Sequence, residues 1–231
     1  MRMMPFFPTP DLGNTIITLM AALVLVLQIA SQGQRWLISN IRIFAVQSML
    51  LAAIACIIAY FNHATHIYYV ALLTFLVKGG LLPWLLERLV KKTGIRREIE
   101  PLINVPLSIL IAGALTLLGY VVAESFYHPE ETSARAALGH NTLAVAIALF
   151  LIGFFTMINR RKAVTQVMGL LSLENGLVLA AISLTYGMPL IVELGIFFDV
   201  LVAVLVLGIL VFRIRETFDS TDVSKLRRLR G

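Results

Sequence analysis

The chain has 231 residues, of which 59% are hydrophobic and 14% are charged, and its mean hydropathy is +0.89. A soluble domain of this length cannot bury so large an apolar share, so the composition predicts an all-α, polytopic membrane protein. The net charge of +6 does not indicate a nucleic-acid partner, because the basic residues cluster between apolar runs.

A membrane-spanning helix needs about 20 mostly apolar residues, and about seven stretches of the chain meet that requirement. They are residues 14–31, 41–61, 66–87, 103–124, 142–158, 163–185 and 189–212. The fifth stretch is short, and Asn141 and Asn159 at its two flanks leave its ends poorly defined.

The distribution of Lys and Arg predicts the orientation of these spans. With seven spans, one side of the membrane receives Arg35, Arg42, "ERLVKKTGIRRE", "NRRK" and the C-terminal "RIRETFDSTDVSKLRRLRG". The other side receives only Arg2 and Arg135, together with the acidic "HPEE". The positive-inside rule therefore predicts a cytoplasmic C-terminus and an N-terminus on the outside, a pattern that an even number of spans would disrupt.

The sequence contains no glycine-rich phosphate loop, Cys/His metal cluster or catalytic triad, so we expect no bound metal or cofactor. The single cysteine, Cys56, lies in the apolar run "AAIACIIAYF" and cannot form an internal disulfide. We interpret Cys56 as a packing residue.

Two carboxylates are predicted near the middle of the membrane. Glu174 lies about ten residues into the sixth span, roughly 15 Å at the helical rise, which is close to the midplane of the hydrocarbon core. Asp199 lies about nine residues into the seventh span, which crosses in the opposite direction, so it reaches a similar depth. Ionisable residues at such depth are functional candidates by default.

Two further ionisable residues accompany this pair. Glu193 is only four residues into the seventh span, near the outer surface, where a carboxylate costs less free energy. Lys78 lies about two-thirds of the way through the third span and is followed by "GGLLPW". Glycine and proline at these positions predict an interrupted or kinked helix, which would let backbone carbonyls and water reach the charge.

Each of these residues also has a purely structural interpretation. Glu174 and Asp199 could be protonated hydrogen-bond partners that hold helices together. Glu193 could reach the membrane surface or cap a helix, and Lys78 could be the ion-pair partner of a buried acid. The functional interpretation is a hydrated chain of protonatable groups at mid-depth, because desolvation disfavours the charged forms and eases proton exchange.

The last 90 or so residues resemble the three-helix K-type subunit of bacterial complex I. The features that carry the resemblance are the short basic loop "NRRK", then "GLLSLENGLVLAAI", then the second acid in "IFFDVLVAVLVLGIL". The buried acids of that family fall here on Glu174 and Asp199. The family usually has Glu at the second position, so Asp199 is one methylene shorter.

The stretch "LENGLVLAAISLTYGMPLIVELGIFFDVLVAVLVLGIL" is more specifically similar to hydrogenase-4 component E, a membrane subunit of formate-hydrogenlyase-type group 4 nickel–iron hydrogenases. The segment "LVKGGLLPWLLE" resembles that family's third span. The resemblance implies an N-terminal four-helix extension over residues 1–130 and a K-like three-helix unit with a cytoplasmic tail over residues 131–231.

The same resemblance implies a non-catalytic subunit in the cell inner membrane, without metal or flavin. Its partners would be antiporter-like membrane subunits and hydrogenase-module subunits of one redox-driven complex. Lys78, Glu174, Glu193 and Asp199 would then form a proton relay. Three alternatives stay open: a subunit of a multi-subunit cation/proton antiporter, a structural scaffold, and a stand-alone transporter. The four extra spans argue against the antiporter subunit, and the lack of a convincing internal repeat argues against the transporter.

Overall fold

A computed structural model describes residues 10–62, 65–93, 102–126 and 134–185, and all the regular structure within these ranges is helical. The elements are helices α1 (Pro10–Gly33), α2 (Leu37–Asn62) and α3 (Thr65–Leu73), a π-helical segment (Thr74–Leu81), and helices α4 (Leu82–Thr93), α5 (Val105–Ser125), α6 (Ala134–Asn159) and α7 (Ala163–Thr185).

Six stretches of the described helices are long and apolar enough to cross a membrane: Gly13–Gly33, Leu37–Phe61, Ile67–Lys91, Val105–Ser125, Asn141–Asn159 and Val164–Ile182. They correspond to the first six predicted spans. The third is built from α3, the π-helical segment and α4 in succession. The predicted seventh span, with Glu193 and Asp199, lies outside the described residues, and the orientation of the bundle stays a prediction.

These stretches are helical because a chain in hydrocarbon must satisfy its backbone hydrogen bonds internally. Where a helix begins, side chains supply the missing acceptors. At the start of α5, the side chain of Asn104 accepts a hydrogen bond from the backbone N–H of Leu107 at 3.2 Å. A proline, Pro106, occupies the first turn of α5, where no backbone donor is needed.

The loops of the bundle bring several helix ends together at one end of the molecule, which we name the basic end. Here α1 ends, α2 begins, α4 ends and the α6–α7 connection lies. Arg42 at the start of α2 pairs with Glu87 on α4 at 3.5 Å. The side chain of Arg160, between α6 and α7, donates to the backbone carbonyl of Gln32 at the end of α1 at 2.9 Å.

The described core of the bundle is apolar away from the basic end. It contains Ile17 and Val24 from α1, Ile54 from α2, Leu149 from α6 and Leu179 from α7. Cys56 does not belong to this core. It is exposed on α2, which corrects the interpretation of Cys56 as a packing residue. Because α2 is apolar around most of its circumference, the sequence pattern does not distinguish its buried face from its exposed face.

Helices α6 and α7 approach each other so closely that only glycine fits at the contact. A Cβ atom on Gly153 would lie 2.5 Å from the backbone nitrogen of Leu173, and one on Gly176 would lie 2.7 Å from the carbonyl oxygen of Ala146. Small residues are typical of helix contacts in membranes, where close packing replaces the hydrophobic effect as the force of association. This contact fixes the depth and rotation of α7, which carries Glu174.

We predict that Gly153→Ala lowers the free energy of unfolding by about 1–3 kcal/mol, because the added methyl group meets backbone atoms that cannot rotate away. The thermal midpoint of the protein purified in mild detergent measures the effect. Gly113→Ala on α5 is the matched control, since an added Cβ there has no atom within 4 Å. Equal midpoints for the two variants would contradict the close approach of α6 and α7.

Candidate functional site: a buried ion pair and its polar neighbours

Lys78 and Glu174 form a buried ion pair between the third span and α7. The Lys78 Nζ and Glu174 Oε1 atoms are 3.3 Å apart, and the two side chains are 1% and 2% exposed. A lone charge at this depth is costly, and breaking such a pair leaves the remaining charge without compensation. The pairing explains how the chain tolerates both groups inside an apolar bundle.

The π-helical segment positions Lys78. Its wider turns are visible at Leu82, whose backbone N–H donates to the carbonyl of Val77, five residues earlier. The absence of a side chain at Gly79 lets the segment pack against α2, where a Cβ would lie 3.3 Å from Met49 Cγ. The span is continuous around Lys78, so the predicted break is absent there, and the helix instead has π-helical geometry over Thr74–Leu81. Short π-helical stretches are frequent at functional sites.

Asn175 connects the ion pair to α2. Lys78 Nζ donates a hydrogen bond to Asn175 Oδ1 at 3.4 Å, and Asn175 Nδ2 donates to the hydroxyl of Ser48 at 3.4 Å. All three side chains are buried. Neither Asn175 nor Ser48 was predicted from the sequence to have a role. The available signal was the position of Asn175 directly after the intramembrane glutamate.

A second polar group, which we name the glutamine cluster, joins Gln28 of α1, Gln47 of α2 and Ser172 of α7. The side-chain amide of Gln47 donates to Gln28 Oε1 at 3.0 Å and to the carbonyl of Val24 at 3.1 Å. The hydroxyl of Ser172 donates to the same Gln28 oxygen, also at 3.0 Å. The three side chains are at least nine-tenths buried, so their hydrogen bonds replace lost contacts with water.

A third set of contacts lies closer to the basic end. Gln32 Nε2 donates to the hydroxyl of Thr156 at 2.8 Å, which links α1 to α6. The Gln32 backbone carbonyl accepts from Arg160, whose side chain is almost completely buried. A cation that binds the C-terminal end of a helix is stabilised by the helix dipole. Arg160 therefore closes the end of α1 and holds the α6–α7 connection against it.

The structure brings together two of the four predicted site residues, Lys78 and Glu174. The other two, Glu193 and Asp199, lie outside the described residues. The geometry of the pair fits both interpretations of Lys78, as an ion-pair partner and as a member of a relay. Within the described ranges, no group of three or more His, Cys, Asp or Glu residues is placed to hold a metal ion.

We predict that Lys78→Met lowers the free energy of unfolding by about 3–5 kcal/mol, because it leaves the Glu174 carboxylate buried without a partner charge. The double variant Lys78→Met with Glu174→Met should recover most of that loss, since no buried charge remains. Thermal midpoints of the four proteins of this double-mutant cycle provide the measurement. If the double variant loses as much free energy of unfolding as the two single variants lose together, the two residues do not interact.

Lys91→Met is the control for this cycle. Lys91 pairs with Glu87 at 3.2 Å on the surface of α4, and its side chain is 65% exposed. Removing an exposed pair of this kind should change the free energy of unfolding by no more than about 0.5 kcal/mol.

Comparison with known proteins places the chain beside membrane subunits of redox complexes. Residues 141–231 match the family model of NADH-ubiquinone/plastoquinone oxidoreductase chain 4L. The chain is 37% identical to an uncharacterized protein of Mycobacterium tuberculosis over 82% of its own length and 84% of that protein. It is 27% identical to hydrogenase-4 component E of Escherichia coli K12 over 81% of its own length and 85% of the relative. No solved structure matches the chain.

Proposed function

This chain belongs to the hydrogenase-4 component E family, and from that membership we propose that it contributes buried charged residues to proton translocation in a redox-driven complex. It is a multi-pass membrane subunit of a complex I-like assembly. In our proposal the subunit catalyses no redox step itself. Its partners are antiporter-like membrane subunits and hydrogenase-module subunits, and it resides in the cell inner membrane.

The observation that carries the proposal is the ion pair between Lys78 and Glu174, which is buried among apolar helices at 3.3 Å. A bundle held together only by packing has no need of two ionisable groups at this depth, because apolar residues of similar volume fill the same space at no greater cost. Ionisable pairs inside membranes are typical of proton and ion pathways.

The pair supports a balanced proton step. In the resting state Glu174 is a carboxylate and Lys78 is an ammonium. A proton that arrives at Glu174 neutralises the carboxylate and leaves the ammonium without its partner charge. Lys78 then releases one proton to the next acceptor and becomes a neutral amine. Transfer of the Glu174 proton to Lys78 over the short separation restores the resting state, so one proton enters and one leaves.

Asp199 and Glu193 are the proposed acceptors that follow Lys78. Their predicted positions in the seventh span support this order, because Asp199 lies at a similar depth to Glu174 and Glu193 lies nearer the outer surface. A proton released from Lys78 would thus move outward through two carboxylates. This part of the proposal rests on sequence positions alone.

We predict that Glu174→Gln abolishes proton pumping while the complex still assembles, because an amide at this position does not accept and release a proton. The measurement is the quenching of a pH-sensitive dye in inverted membrane vesicles, driven by the redox activity of the complex. Glu174→Asp should retain part of the pumping, since the carboxylate persists. A second carboxylate, Glu87, supplies the control, because it lies on the surface of α4 and Glu87→Gln should pump normally.

The same experiment separates the relay from the scaffold. Co-purification through a C-terminal tag reports assembly, and the dye reports pumping. An assembled Glu174→Gln complex that pumps at the unmodified rate would show that the pair is structural and would overturn the proposed function. Co-purification with antiporter-like subunits alone, without hydrogenase-module subunits, would assign the chain to a cation/proton antiporter.

A further inference from the structure

A small cavity lies between the glutamine cluster and the basic end. Its volume is about 10 Å³, and its walls contain the polar side chains of Ser31, Asn40, Gln47, Thr156 and Ser172 and the apolar side chains of Phe44 and Met168. A cavity that holds one water has about this volume, and a bound water needs two to four polar partners. The cavity meets both conditions.

One buried polar atom, on a residue that bonds to the cavity wall, also requires a further partner. The side-chain oxygen of Gln32 is buried and accepts no hydrogen bond within the described part of the chain, although its amide nitrogen bonds to Thr156 in the cavity wall. Buried amide oxygens in proteins are nearly always paired, with water where no protein donor is in reach. This part of the bundle is therefore suited to hydration.

The cavity lies between the basic end and the ion pair. On one side, Thr156 lies one helical turn before Arg160, which directly follows the end of α6. On the other side, Ser172 is three residues before Asn175 on α7, so the two side chains share one face of the helix, and Asn175 accepts a hydrogen bond from Lys78. Gln47, also in the wall, precedes Ser48, which bonds to Asn175 beside Lys78. The cavity wall thus lies one helical turn from Arg160 at one end and one helical turn from Asn175, the hydrogen-bond partner of Lys78, at the other.

We infer that the cavity binds one water and that this water, with the glutamine cluster, forms the route by which protons pass between the basic end and Glu174. This inference rests on the proposed function. Water and hydroxyl groups transfer protons, whereas the amides of Gln28 and Gln47 hold them in position.

The route depends on helices from both parts of the chain. Gln28 and Gln47 come from α1 and α2, whereas Thr156 and Ser172 come from α6 and α7. The N-terminal helices therefore complete a site that the last helices alone do not contain. Their contribution to function is to line the route as well as to supply Lys78.

Two variants test the route in the assembled complex. Ser172→Ala removes one hydroxyl from the cavity wall, and Gln47→Leu removes the central amide with little change in volume. Each should slow pumping, measured in sodium-free vesicles, by about threefold to tenfold, the factor that corresponds to the loss of one hydrogen bond. Thr116→Val on α5 is the matched control, because it removes a hydroxyl that bonds to the carbonyl of Ala112 in the same helix.

A second readout detects the water directly. X-ray radiolysis in ¹⁸O-labelled water oxidises side chains beside bound waters, and the thioether of Met168, 4% exposed, lines the cavity. We expect labelled oxygen on Met168 in the unmodified complex and a severalfold decrease in Gln47→Leu. Absence of label from Met168 in the unmodified complex would overturn the water site.

The two readouts separate the route from the proposed function. Pumping that is lost in Glu174→Gln but unchanged in both Ser172→Ala and Gln47→Leu would overturn the route and leave the proposed function in place. Pumping that persists in Glu174→Gln would overturn both. Slower pumping in the cavity variants with normal pumping in Thr116→Val would support the route. If Gln47→Leu does not assemble, the pumping rate of Ser172→Ala alone tests the route.

Discussion

The ion pair between Lys78 and Glu174 is the constraint on which the rest of the described structure depends. A membrane interior excludes unpaired charge, so the third span and α7 must meet at one depth and with one rotation. The π-helical segment sets the position of Lys78, and the glycine contact of α6 with α7 sets the position of Glu174. Together, these two local features place Lys78 Nζ and Glu174 Oε1 3.3 Å apart.

Polar groups are distributed unequally on the two sides of this pair. Towards the basic end, the described helices bury amides, hydroxyls and the guanidinium of Arg160. Towards the other end, the buried polar residues in the described part of the chain are few, and they include Thr74, one turn before Lys78, and Thr142 in the first half of α6. The pair therefore lies where a polar half of the bundle meets an apolar half. In our proposal, protons reach it through the polar half, and onward transfer needs groups from the seventh span or from a neighbouring subunit.

The sequence predicted the helices well because length and hydrophobicity alone force a helix in the membrane, and it identified Lys78 and Glu174 because charges in apolar runs are rare. It left open that Lys78 pairs with a buried acid, but it did not identify Glu174 as that acid. In helices that are apolar on all sides, no periodicity marks the face that will be buried, which is also why the interpretation of Cys56 was wrong. The sequence did not identify Gln28, Gln47 and Ser172 for another reason. Uncharged amides and hydroxyls are tolerated in spans, so each is unremarkable alone, and only their convergence in space distinguishes them.

Lys78 and Glu174 come from different parts of the chain, which gives a reason for the helices that precede the K-like unit. Glu174 lies within residues 141–231, which match the chain 4L family model, whereas Lys78 lies outside that match. A three-helix unit alone would have to find the partner charge for its buried acid on another subunit. In this chain the partner charge is supplied by the chain itself, along with Gln28 and Gln47 of the proposed hydrated route. Because Lys78 pairs with Glu174 within the same chain, Glu174 does not need a charged partner on a neighbouring subunit. In our proposal, proton uptake at Glu174 is therefore a property of this subunit, and the neighbouring subunits govern where the proton goes next.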